Sequence, residues 1–139
     1  MSQASLVFAC RPIAEGKAEG TVLISKDEIM FYLCDPATGR ITEKGHCLEG
    51  RSVAGKILVF PGGKGSSSVQ VDGLYQLLSR GNAPKAMIIE RPDTILVTSA
   101  IIMEIPLVDR VEPGFYEAVA DGDLACVDAD KGKITLVKS

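Results

Sequence analysis

The residues best suited to chemistry in this 139-residue chain lie in one short run: Gly62, Gly63, Lys64 and Gly65, followed at once by Ser66, Ser67 and Ser68. Glycines let a ligand approach the backbone, hydroxyls and an ammonium group can hold it, and the combination suits an anion or a reacting oxygen. Whether the run is used that way depends on what flanks it. Upstream, Ile57, Leu58, Val59 and Phe60 make a short apolar stretch that breaks at Pro61, the pattern of a buried strand. Downstream, Leu74, Leu77 and Leu78 recur at helical spacing as far as Gly81, and Asn82 and Pro84 keep the helix from continuing. Residues 56–81 are therefore predicted to be a strand, a glycine loop and a serine-capped helix.

The first N–H groups of a helix lack internal partners, and the helix dipole places partial positive charge there. A phosphate or carboxylate would be held by such a loop, with Lys64 adding a full charge. The same residues equally suit a plain cap over a tight turn, so the pattern alone leaves both uses open. A nucleotide P-loop is excluded, because Lys64 is followed by Gly65 and not by Ser or Thr.

The rest of the composition narrows the class. With 46% apolar and 24% charged residues, the chain is predicted to fold around a real core as one domain over residues 1–139. A formal net charge of −3 and the lack of any basic cluster argue against nucleic acid or a membrane surface as partner. No apolar stretch approaches the length of a bilayer span, and the amino terminus lacks a basic start followed by a long apolar run, so a cytoplasmic location is expected. Cys10, Cys34, Cys47 and Cys126 are scattered without the short paired spacings of zinc or iron–sulfur sites; they are read as plain thiols with no metal role.

In chain order, Leu6 to Ala9 reads as a strand, Arg11 and Pro12 as a turn, and residues 18–25 as a second strand with bends at Gly16 and Gly20. Ile29, Met30, Phe31, Tyr32 and Leu33 are apolar enough to be inside. Asp35, Pro36 and Gly39 carry the chemistry of a tight turn, after which residues 40–43 resume an extended run. His46, the sole histidine, titrates near neutrality and is a candidate base, but its sequence neighbours include no acid or nucleophile, which favours a structural role. Ala86 to Ile89 should lie parallel to the strand at 57–60. After an interruption at Arg91, Pro92 and Asp93, with Asp93 or Thr94 as cap, a short helix and a third parallel strand at residues 105–108 follow. A turn at Glu112, Pro113 and Gly114 precedes Phe115. The chain closes with a hairpin of residues 124–128 and 134–137.

The run from Gly55 to Ser68, Ala83 and Pro84 after its helix, and Ile105 to Val108 further on together resemble the small, swivel-domain subunit of the aconitase X family. Cys10, Arg11 and Pro12, residues 16–20, residues 35–40 and residues 46–50 fall in that family's order, so the resemblance covers nearly the whole chain. It implies an α/β swivelling β/β/α domain, with central parallel strands, flanking helices and a β-barrel-like antiparallel layer; the closing hairpin fits swivelling domains generally.

The resemblance also implies an activity: a hydro-lyase that removes water from a hydroxy acid, shared between two chains. The large subunit of the heterodimer would carry a [4Fe–4S] cluster, none being bound by this chain, and the swivel domain would close over it. The residue matching the serine base of the wider superfamily is Ser66, with Gly63, Lys64, Gly65 and Ser67 around the substrate. Aconitases carry an arginine where this chain has Ser68, so that arginine's role does not transfer. Two substrates within the family compete. The short connection from Ile101 through Pro106, and Ser67 where bacterial relatives often have cysteine, favour dehydration of mevalonate 5-phosphate to anhydromevalonate phosphate for isoprenoid synthesis; the alternative is cis-3-hydroxy-L-proline. A third reading is a non-catalytic module such as a phosphohistidine carrier, although Ser66 stands where that carrier would need its histidine.

Overall fold

A computed structural model describes residues 5–91 and 93–138. Among them the elements run β1 (Ser5–Ala9), β2 (Arg11–Ala14), β3 (Lys17–Ile24), a 3-10 turn (Phe31–Leu33), β4 (Ile57–Phe60), α1 (Ser67–Ser79), β5 (Ala86–Ile89), α2 (Thr94–Met103), β6 (Leu107–Asp109), α3 (Gly114–Ala118), β7 (Leu124–Asp128) and β8 (Lys133–Val137). The strands form one mixed sheet in the order β1-β8-β7-β3-β4-β5-β6-β2. Its centre, β3-β4-β5-β6, is parallel, and the remaining pairings are antiparallel. β1 and β2 lie at opposite ends of this order yet are separated in sequence by Cys10 alone, so the sheet must curl until its edges meet. That closure is the barrel-like layer.

Alternation along the central strands divides the core. Leu58, Phe60, Met87 and Ile89 face one way and pack with Leu74 and Leu77 of α1 and Leu96 and Ala100 of α2. Ile57, Val59, Ala86 and Ile88 face the other way, onto Phe115 of α3 and Val127 and Ile134 of the hairpin. A strand covered on both faces has no polar side to show, which is why β4 and β5 read as unbroken apolar runs. Packing of α1 is unusually close at one point: a Cβ on Gly73 would lie 2.2 Å from the Tyr32 backbone N. The helix ends as its sequence indicates, with Gly81 at φ 75°. Asn82 N–H donates to Leu77 O and Gly81 N–H to Leu78 O, closing a Schellman motif.

The strands predicted at residues 57–60, 86–89 and 105–108, the intervening helices and the terminal hairpin are all present, within a residue or two at their ends. The turn expected at Asp35 closes with Gly39 N–H donating to Asp35 O at 2.6 Å. Arg11 and Pro12 depart from expectation: they form no turn but lie in β2, antiparallel to β6. Pro12 is tolerated because this is an edge strand, with a register shift between Pro12 and Ala14. Residues 40–43 make only isolated bridges, Arg40 with Ser52 and Ile41 with Cys34 and Glu49. The interruption predicted at Pro92 lies outside the described residues.

Candidate functional site

The glycine loop leaves the carboxyl end of β4 and enters α1, so three fully buried strands and a well-packed helix hold both of its ends. Ser66 occupies the cap position in extended conformation (φ −69°, ψ 162°), but its hydroxyl makes no capping hydrogen bond. The helix is thus serine-started and not serine-capped in the sense expected. Ser66, Ser67 and Ser68 are exposed. Among the described residues no acceptor is recorded for the N–H groups of Ser66, Ser67, Ser68 and Val69. An unoccupied hydroxyl therefore stands beside several free donors at the positive end of a 13-residue helix.

Gly65, at φ 104°, takes a backbone conformation that side chains disfavour. Gly63 bridges to Ile29, and a Cβ there would meet Gln70 Oε1 at 2.5 Å. The Lys64 N–H donates to Ile29 O, while its ammonium group binds Glu43 Oε2 at 2.6 Å. The charge expected at the loop is thus shared with Glu43, and Lys64 anchors the loop to residues 40–43. Gln70 reaches back from the first turn of α1: its Nε2 donates to Gly65 O at 2.8 Å. Glu43 Oε1 and Gln70 Oε1 are buried without a hydrogen-bond partner among the described residues. Beside the loop, Glu28, Gly62, Gly63, Arg91 and Asp93 line an open cavity of about 270 Å³. A larger one of about 570 Å³ lies away from the loop, between Ile13, Gly16 and Ile101, and offers only Glu15 and Glu104 as ionisable groups.

His46 is not at this loop's chemistry. It is 6% exposed, its Nδ1 accepts from Leu48 N–H at 3.0 Å, and its Nε2 faces Glu28 O at 2.9 Å. Those partners set the Nε2–H tautomer and use the remaining lone pair, so the ring is neither a free base nor a free ligand. Asp27, His46 and Cys47 do place one ligand atom each within 4.8 Å of one another. Asp27 is already engaged, however, accepting from Cys47 N–H, which lowers its carboxyl below the usual range. Burial, with Asp109 and Asp128 nearby, pushes the Cys10 thiol up to about 11, and burial with Glu43 nearby pushes that of Cys34 up to about 12, so both are protonated near neutral pH.

Of the predicted residues, Gly63, Lys64 and Gly65 lie in the loop, Ser66 holds the cap position of α1 and Ser67 opens it. Sequence reading missed Gln70 and Glu43; Asp93 was read, with Thr94 as the alternative, as the cap of the second helix, which it is, accepting from the Ile95 and Leu96 N–H groups. Gln70 carried a faint signal, since Ser67 to Gln70 has the Ser-x-x-Gln spacing of a capping box. Glu43 carried none, being joined to Lys64 only by the fold.

Residues 7–136 match the family described as "Aconitase X swivel domain". The chain is 47% identical over 129 residues to a protein of Methanosarcina acetivorans named phosphomevalonate dehydratase small subunit, covering 92% of this chain and 89% of that one. A protein of the same name from Methanocella arvoryzae is 47% identical over 125 residues, covering 89% and 94%. Among solved structures, aconitase X from Thermococcus kodakaraensis in its holo-form superposes with a TM-score of 0.86 at 40% identity, covering 96% of this chain and 99% of that one.

Proposed function

Because the chain belongs to the aconitase X swivel-domain family, we propose that it is the small subunit of a hydro-lyase that dehydrates mevalonate 5-phosphate, as the names of its relatives indicate. The reading extends over residues 1–139 as one swivel domain working in the cytoplasm, where the four free cysteines would stay reduced. The reported relatives favour mevalonate 5-phosphate over cis-3-hydroxy-L-proline, and the engaged ring of His46 speaks against a phosphohistidine carrier.

Dehydration breaks a C–H and a C–O bond and forms a C=C bond. In this reading Ser66 Oγ takes the carbon-bound proton. A [4Fe–4S] cluster carried by the large subunit would supply the Lewis acid for the departing hydroxide. A serine hydroxyl is a feeble base unless its alkoxide is stabilised, and fixed N–H donors at a helix start are suited to that task. Gly65 allows the sharp entry that leaves Ser66 outward. Gly63, Lys64 and Ser67 shape the loop around the phosphorylated substrate, Lys64 through its tie to Glu43.

The observation that carries the reading is the Ser66 hydroxyl, exposed and making no capping bond among the described residues at a position where serine ordinarily spends its oxygen on the helix. The test is anaerobic turnover of mevalonate 5-phosphate by this chain co-expressed with its large subunit, wild type against Ser66→Ala. Loss of activity with complex and cluster intact is expected. Retained activity removes Ser66 from the role, and turnover of hydroxyproline alone removes the substrate.

A further inference from the structure

From the geometry around the loop we infer that Gln70 is a positioning residue for Ser66, a role that rests on the proton-acceptor reading above. Gln70 is 5% exposed, an unusual setting for a glutamine in the first turns of a helix. It grips the loop twice. Its side-chain Nε2 donates to Gly65 O at 2.8 Å, and its backbone N–H donates to Ser66 O at 3.0 Å. Its Oε1 fills the space beside Gly63 that a side chain would need: a Cβ there would lie 2.5 Å from it and 3.2 Å from Asp93 Oδ2. One buried side chain therefore touches the loop at Gly63 and Gly65 and holds the residue between helix and loop.

The bond to Gly65 has a directional consequence. The Gly65–Ser66 peptide is trans, so its C=O and N–H point in opposite directions. With the carbonyl drawn inward onto Gln70, the Ser66 N–H is turned away from the core, toward the face where the hydroxyls of Ser66 and Ser67 are exposed. Gln70 thus fixes a peptide plane that glycine, at φ 104°, would otherwise leave free to rotate. The donor beside Ser66 Oγ is preorganised by an amide that never meets the substrate.

Two variants test this in the assembled enzyme. Gln70→Met keeps the volume and removes the donor to Gly65; Gln70→Glu restores a donor only when protonated. Burial and the nearby Asp93 carboxylate favour the protonated form of this glutamate, while the neighbouring cations that oppose it are already paired, Lys64 with Glu43 and Arg91 with Glu28. Expected are a fall in kcat of roughly ten- to a hundredfold for Gln70→Met at unchanged melting temperature and complex yield. For Gln70→Glu, the ratio of variant to wild-type kcat should rise on acidification from pH 8 to pH 6. A kcat within twofold of wild type for Gln70→Met, or a flat ratio for Gln70→Glu, overturns the assignment; if the methionine variant does not fold, the glutamate variant decides alone. Amide spectra of the assembled complex, with ¹⁵N label in the small subunit only, decide the matter without activity. Gly63, Gly65, Ser66 and Ser67 should shift or broaden in Gln70→Met while α3 and the β7–β8 hairpin stay unchanged. Should the wild-type complex not turn over mevalonate 5-phosphate, the functional reading fails and these spectra still decide: unmoved loop resonances overturn the role of Gln70.

Discussion

Replacing Gly73 by alanine sets two opposed effects against each other on α1, and the structure decides which wins. In an exposed helix the change would stabilise by about 1 kcal/mol, because alanine restricts the unfolded chain and favours the helix. Here the new Cβ would lie 2.2 Å from Tyr32 N, 2.5 Å from Phe31 C and 2.6 Å from Tyr32 Cα. All three are backbone atoms, which cannot step aside by changing rotamer. To restore ordinary contact α1 and the 3-10 turn would have to part by roughly 1 Å, opening gaps around Phe31, Leu74 and Leu77. Overpacking of this kind costs about 1–3 kcal/mol or more, and with backbone on one side the upper end applies, so a net loss of about 2 kcal/mol is expected after the helix gain. For a chain of this size that is a drop of about 6–10 °C in Tm. Thermal and urea unfolding followed by circular dichroism would measure it, with Gln76→Ala, an exposed position on the same helix, staying within about 0.5 kcal/mol of wild type. Because α1 carries Ser66 at its start, the complex containing Gly73→Ala should also lose turnover. Stability equal to or above wild type would refute the reasoning, since it would mean that the Tyr32 backbone yields freely.

Three further outcomes are expected. Asp93→Ala removes the acceptor of the Ile95 and Leu96 N–H groups and should cost about 1 kcal/mol, read as a fall of a few degrees in Tm. His46→Leu leaves the Leu48 N–H and the Glu28 carbonyl without partners and should destabilise by about 2 kcal/mol while complexes that still form keep their turnover; loss of turnover in a folded complex would contradict a structural histidine. Alkylation mapped by mass spectrometry near pH 8 should label the exposed Cys47 first and Cys34 last, since burial raises the Cys34 thiol to about 12 and that of Cys10 to about 11. Both folded values lie above the ordinary 9, so the stability these protonated thiols contribute is complete below pH 9 and is lost as pH climbs toward 11 and 12.

Much of the fold was legible in the residues themselves because burial leaves a local trace. Ile57 to Phe60 and Ala86 to Ile89 are unbroken apolar runs since both of their faces are covered, and Gly81 and the turn at Asp35 mark ends by backbone chemistry that needs no distant partner. β2 left no such trace: Arg11, Pro12 and Ile13 carry little burial, and only the curling of the sheet brings them against β6, where Arg11 forms a two-bond ion pair with the buried Asp109.

At the loop the same division holds. The glycine and serine types at residues 62–68, next to an apolar run, were enough to foretell a strand, a tight loop and a helix start, because φ preference and helix-start donors are properties of the local chain. The pattern left open whether the loop holds a ligand. What the loop does with its groups was settled by contacts across the sequence: Glu43 takes up Lys64, and Ile29 and Met30 line the loop's inner side. Even Gln70, only a few residues away, acquires its part through burial. Hydrogen bonds between side chains and a distant backbone have no period and no preferred residue order, so they become visible only when the core has brought their partners within reach.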